Sequence, residues 1–383
     1  MYYYDEIERD LSPEILNRIY KEIRRISKQF IDNYERLKPA IKFIKEELKK
    51  AGDCIVSIPD YFSTYSEPIV SFAIDTSFLT SPLSLVYGDF VVYIAGYIRF
   101  PRYLSSNSEV NRSIIVDVDL VTKQPVSSLI ISAKSHVLER KLALKLLKNK
   151  REGIEGFDFD AIFIDGPILP LPLPPPRIEA VRELESVTED MIYEAKELKV
   201  SLIGVVKRVR SKILARMFLK KNTEFKDLMD TANDKAITTL MLNRGECIKL
   251  GLLGKKEVIE AIAGNLINSS RLDSYLEEHS WLKKLHISFI KPKNSDQSVT
   301  VEILDYGNLG IDRILSWTNE QSSQSGCPHF LDAVDAFVKV EPRVVELARR
   351  ILIRHAISEL QDADIIKLLE HADLQKKFSP RMG

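Results

Sequence analysis

The sequence predicts an α/β protein, a mixed sheet flanked by helices with helical extensions at both ends. Short apolar runs rich in Val, Ile and Tyr recur from 68 to 121 and again between 159 and 207. Stretches of helical periodicity at 128–150 and 178–197 alternate with them. Long charged segments open and close the chain. Strands in series, followed by strand and helix in alternation, describe a sheet covered by helices. On this reading residues 1–60 form an N-terminal helical segment, 61–340 the core with its insertions, and 341–383 a C-terminal helical tail.

The first helix spans 12–50. Ser12-Pro13 supplies an N-cap and an N1 proline, and Ala51-Gly52 a stop. Ile15, Ile19, Ile23, Ile26, Phe30 and Ile31 make one apolar stripe, expected to lie on the body of the protein or to meet a partner. Strands follow at 68–75, 85–98 and 112–121, and another at 159–165. The run from Pro167 to Pro176 carries too much proline for helix or central strand and reads as a stiff connector. Beyond it come helix at 178–197, strand at 200–207 and helices at 209–219, 225–243 and 256–280. A hairpin over 284–304 turns at Lys293-Asn294-Ser295-Asp296, and 330–372 is mostly helical.

Composition excludes several classes. With 55 basic and 55 acidic residues among 383, the chain carries no net charge, so any surface for nucleic acid must be made by segregating charge. Cys54, Cys247 and Cys327 are far apart, which rules out a CxxC zinc site and a dense disulfide framework. The six histidines show no HxH or HxxxH spacing. GxxxxGK[ST] and GxSxG are both lacking, which removes a P-loop ATPase and a nucleophile-elbow hydrolase. No apolar run reaches membrane-spanning length and the N-terminus does not read as a signal peptide, so a cytoplasmic protein without membrane contact is expected.

Carboxylates carry the chemistry. Asp75 ends the run Ile69–Ile74 and Asp165 ends Ala161–Ile164, each followed by small or turn-forming residues. Runs apolar on both faces belong to central strands, and ligand sites in open α/β sheets lie just beyond strand carboxyl ends. Two aspartates there would repel unless a cation stood between them, and hard oxygen ligands suit Mg²⁺ or Mn²⁺. Alternatively each Asp caps the next turn. Glu139 has Leu142, Ala143 and Leu146 as its i+3, i+4 and i+7 neighbours and so sits on an apolar helix face. That position is expensive unless the carboxylate is bound to metal, protonated or paired with a core cation. Lys207 and Arg210 follow an apolar strand, where they either reach a phosphate or begin an ordinary solvated helix. Asp234 reads as an N-cap and Gly245-Glu246 as a turn.

Taken together these segments resemble the NurA nucleases. Phe72-Ala73-Ile74-Asp75-Thr76-Ser77 is similar to that family's first motif, Leu138-Glu139 to its acidic helix, and Phe163-Ile164-Asp165-Gly166 to its second Asp motif. Ile203–Arg208 is similar to the strand-to-basic motif, and Asp234-Lys235, Gly245-Glu246 and Val299–Glu302 follow in the family's order. The resemblance spans about 70–340 and implies an RNase H-like core. It further implies a homodimer around a DNA channel and Mn²⁺-dependent exo- and endonuclease activity, with Mg²⁺ as the other metal. The partner it implies is the hexameric DNA-translocating ATPase HerA, in archaeal DNA end processing. Asp75, Glu139 and Asp165 would then hold the metal, Lys207 or Arg210 would steady the scissile phosphate, and both would contact the DNA. The C-terminal segment departs from the pattern: Asp335 stands where the family has His, and His329 lies out of register. That departure leaves a catalytically weakened DNA-binding or scaffold subunit of the same fold as the alternative.

Overall fold

Two of the apolar runs lie side by side and parallel at the centre of a ten-stranded sheet. The computed structural model describes residues 12–50, 55–79, 83–84, 88–104, 108–122, 127–169, 178–207, 211–230, 232–252, 258, 260–262, 274 and 276–360. The strands are β1 (Ile55–Ser57), β2 (Ser71–Phe78), β3 (Leu83–Ser84), β4 (Asp89–Phe100), β5 (Arg112–Val121), β6 (Ala161–Ile164), β7 (Ser201–Val206), β8 (Glu246–Lys249), β9 (His286–Lys291) and β10 (Val299–Leu304). Their order is β1-β8-β9-β10-β7-β6-β2-β4-β3, with β5 pairing β4 along the outer side. β2, β6 and β7 run parallel, and β4 and β10 flank them antiparallel. The expected mixed sheet is therefore present. β9 and β10 form the hairpin read at 284–304.

The helices are α1 (Pro13–Lys50), α2 (Tyr61–Thr64), α3 (Ser108–Asn111), α4 (Ser127–Arg151), α5 (Glu179–Glu197), α6 (Ile213–Phe218), α7 (Asp234–Met241), α8 (Ile311–Glu320), α9 (His329–Val338) and α10 (Pro342–Leu360). Alternation along the strands divides the core in two. Phe72, Ile74, Ile162 and Ile164 pack with α4, α5 and the end of α1, whereas Ala73, Ala161, Phe163 and Ile203 pack with α8 and α9. None of the described helices is long and apolar enough to cross a membrane.

Several expectations are corrected. The stripe on α1 does not lie on the body: Ile15, Ile23 and Ile31 are 48%, 51% and 56% exposed, and burial begins only at Ala40, Ile44 and Leu48. The helix read across 225–243 is a 3₁₀ turn at Lys226–Asp230 followed by α7, because Asn233 caps α7 by accepting from the Ala236 N–H at 2.8 Å. The tail is mostly helical as read over its described part, in two pieces, α9 and α10, the latter beginning at Pro342, whose missing N–H suits a first turn. The turn read at Gly245-Glu246 is present, with the Glu246 N–H donating to the Asn243 carbonyl at 3.1 Å, and Glu246 also opens β8. Most of 256–280, the proline run from 170 and Arg210 lie outside the described residues.

Candidate metal centre

Asp75 lies within β2 opposite Gly96 of β4, and Asp165 follows the last residue of β6. The parallel register pairs Ile74 with Ile164, and the Asp165 N–H donates to the Ile74 carbonyl at 3.1 Å, so the aspartates are neighbours. The pleat turns Asp75 to the same side as Ala73, which is the side covered by α9. From α9 comes Asp335. One carboxylate oxygen from each of Asp75, Asp165 and Asp335 lies within 4.8 Å of the other two.

Two glycines allow this approach. A Cβ on Gly96 would stand 2.7 Å from Val338 Cγ1, so a larger residue opposite Asp75 would push α9 away. A Cβ on Gly204 of β7 would stand 2.6 Å from the Gly166 carbonyl oxygen, which keeps the segment after Asp165 close to the sheet. That segment is also held by Glu302 of β10, whose Oε2 accepts from the Ile168 and Leu169 N–H groups at 2.7 and 3.0 Å. Burial pushes the Glu302 carboxyl up to about 7 despite these donors.

The cluster is electrostatically incomplete. Burial, and then the charges of Asp165 and Glu139, push Asp75 up to about 9. Burial lifts Asp165 to about 6, a rise that the adjacent Lys207 partly opposes. Lys207 Nζ donates to Asp165 Oδ2 at 2.7 Å and lies 3.1 Å from Asp332 Oδ1. Three hard oxygen donors this close fit one divalent cation, since ligand oxygens about 2.0–2.6 Å from an ion stand at most some 4–5 Å apart.

Glu139 is not among these three carboxylates. It is buried on α4, which packs on the opposite side of the sheet, and its carboxylate takes a hydrogen bond from its chain neighbour Arg140. Arg140 is itself buried and also donates to the Pro167 carbonyl at 2.5 Å. His136 Nδ1 lies 3.8 Å from Glu139. Glu139 thus acts on the cluster through its charge, paired with Arg140. His329 stands apart: it is exposed, with its ring edge-on to Phe100 at 4.9 Å and Nδ1 3.2 Å from the Gln321 carbonyl. Sequence reasoning passed over Asp332. Its signal is the i, i+3 spacing to Asp335, which puts both on one helix face.

Fold and site together define an α/β protein whose acid cluster, built from the central sheet and α9, can hold a metal ion. The chain belongs to the NurA domain family, whose profile matches residues 87–340 and so takes in Asp165, Lys207 and Asp335. No curated protein matches the chain. Among solved structures it is similar to the NurA nuclease from Sulfolobus solfataricus, with 12% identity over 88% of this chain and 98% of that one and a TM-score of 0.47. It is also similar to NurA bound to dAMP and manganese, at 12% identity over 90% and 98% of the two chains and a TM-score of 0.49. NurA with manganese matches at 13% identity over 89% and 99%, also at 0.49.

Proposed function

We propose that this chain is a metal-dependent nuclease that hydrolyses DNA phosphodiesters at the cluster of Asp75, Asp165 and Asp335. The convergence of these three carboxylates, from within β2, from just beyond the parallel strand β6 and from α9, carries the reading. They would hold Mn²⁺, or Mg²⁺ in its place. A bound divalent ion supplies Lewis-acid stabilisation of charge on the phosphate and makes water acidic enough to attack near neutral pH. The protein's part is positioning. Asp75 and Asp165 are fixed by the sheet, and Asp335 by the packing of α9 against Gly96. Lys207 presents an ammonium beside Asp165 that steadies a scissile phosphate. Glu139, tied to Arg140, adds negative charge behind the cluster and favours cation binding.

The finer reading follows the family: 5′–3′ exonuclease and single-strand endonuclease activity in the resection of DNA double-strand breaks, in the cytoplasm, with a HerA-type ATPase as motor. A homodimer suits the exposed apolar rows. Ile15, Ile19, Ile23 and Ile26 line one side of α1, and Ile114, Val116, Val118 and Leu120 alternate along β5. Patches of this kind mark contact surfaces. Labelled DNA incubated with Mn²⁺ or with chelator tests the activity: cleavage with metal and none with chelator is expected, and cleavage indifferent to both refutes it. Light scattering should give twice the chain mass, and affinity for DNA should fall steeply with salt as counterions compete.

A further inference from the structure

Among the described residues Lys207 is a cation paired directly with a carboxylate of the acid cluster. Its Nζ lies 2.7 Å from Asp165 Oδ2 and 3.1 Å from Asp332 Oδ1, so one ammonium bridges a cluster carboxylate and a carboxylate outside the cluster. We infer that Lys207 is the resident counter-cation of the cluster, and that Asp332 is the carboxylate that receives it when a divalent cation occupies Asp165. The inference rests on the metal-centre reading and adds a residue to it.

The argument is electrostatic and geometric. An ammonium and a divalent ion on the same carboxylate are like charges a few ångströms apart in a partly buried site, where water screens them poorly. One must move. Lys207 is already within reach of Asp332, so the exchange needs a small shift along an existing contact rather than a new rotamer.

Asp332 is built to accept the load. Its Oδ2 takes hydrogen bonds from Ser323 Oγ at 2.5 Å and Ser325 Oγ at 2.8 Å. It also sits in the first turn of α9, where the helix dipole favours an anion. Asp75, by contrast, faces other carboxylates. Because Asp332 precedes Asp335 by one helical turn, the same rigid element carries a cluster carboxylate and the ammonium's second seat. Asp332 is thus a positioning residue: it acts through Lys207 and does not touch the ion.

Calorimetric titration of Mn²⁺ onto the full chain without DNA tests this, using D332N, K207M and the double variant. Asp332→Asn should weaken Mn²⁺ binding about tenfold, because the displaced ammonium loses its anionic seat, an effect in the ordinary range of coupling between sites. Lys207→Met should tighten binding by a similar factor, because the competitor is gone. In the Lys207→Met background the Asp332 effect should shrink to about twofold or less, the residue of a distant charge. An equal Asp332 effect with and without Lys207, or weaker binding in Lys207→Met, overturns the exchange. Should D332N fold poorly, K207M alone decides by the sign of its change. No Mn²⁺ binding by the unaltered chain would overturn the metal-centre reading itself.

Discussion

Asp234 and Asp75 are both buried carboxylates whose surroundings differ. Asp234 accepts from Ser211 Oγ at 2.6 Å and from the Ile213 and Leu214 N–H groups at 2.8 and 2.9 Å, and so caps α6 from the first turn of α7. Burial pushes its pKa up, and those three donors pull it back. Asp75 accepts from the N–H of its own neighbour Thr76 at 2.7 Å and otherwise faces Asp165 and Asp335. Burial raises both groups. What separates them is the company: neutral donors complete a structural aspartate, whereas other carboxylates leave a deficit that a cation can fill.

The comparison can be broken most forcefully through activity. Asp75→Ala and Asp165→Ala should each reduce Mn²⁺-dependent DNA cleavage by about a thousandfold or more while the chain stays folded, since each removes one of few ligands to the ion. Near wild-type cleavage by either would remove it from the centre. Asp234→Ala should behave oppositely in a urea melt. It strands two backbone N–H groups and a hydroxyl, and should cost roughly 2–4 kcal/mol of stability with Mn²⁺ affinity little changed.

A smaller effect sharpens the same contrast through pH. In the folded, metal-free chain Asp75 holds its proton up to about pH 9, whereas unfolded it releases it near 3.8. The folded state therefore binds the extra proton throughout that window, and stability is lost as pH rises across it. Asp75→Asn cannot ionise, so it should exceed the wild type in stability, by about 1 kcal/mol or more at pH 8 relative to pH 5. A constant difference between the two pH values would contradict the upward shift of Asp75 on folding. Smaller still, Gly96→Ala should weaken Mn²⁺ binding a few-fold by displacing α9, as steric misplacement of one ligand does. Unchanged affinity would show that α9 tolerates the shift.

What was legible in the sequence follows the same physics. Asp75 and Asp165 could be read because a central strand is apolar on both faces, so a carboxylate ending such a run is conspicuous. Glu139 was equally conspicuous on its apolar face, but periodicity does not reveal that the guanidinium of the next residue, Arg140, turns inward with it. Asp335 stood out only by its place in the family pattern and Asp332 only by its i, i+3 spacing from it, because the helix that carries both is seated against Gly96 in a strand far back in the chain, a tertiary fact that periodicity does not reveal. β1 and β8, of three and four residues, were too short to show alternation. The stripe on α1 was read correctly as apolar, yet periodicity cannot tell whether such a face meets its own body or solvent.

A crystal soaked in Mn²⁺ and read by anomalous scattering tests the central claim most directly. The account predicts a peak about 2.0–2.6 Å from carboxylate oxygens of Asp75, Asp165 and Asp335, with Lys207 Nζ moved from Asp165 toward Asp332 and Asp234 without metal. A peak on Glu139 that bypasses Asp335, or no metal among the three aspartates, would contradict it.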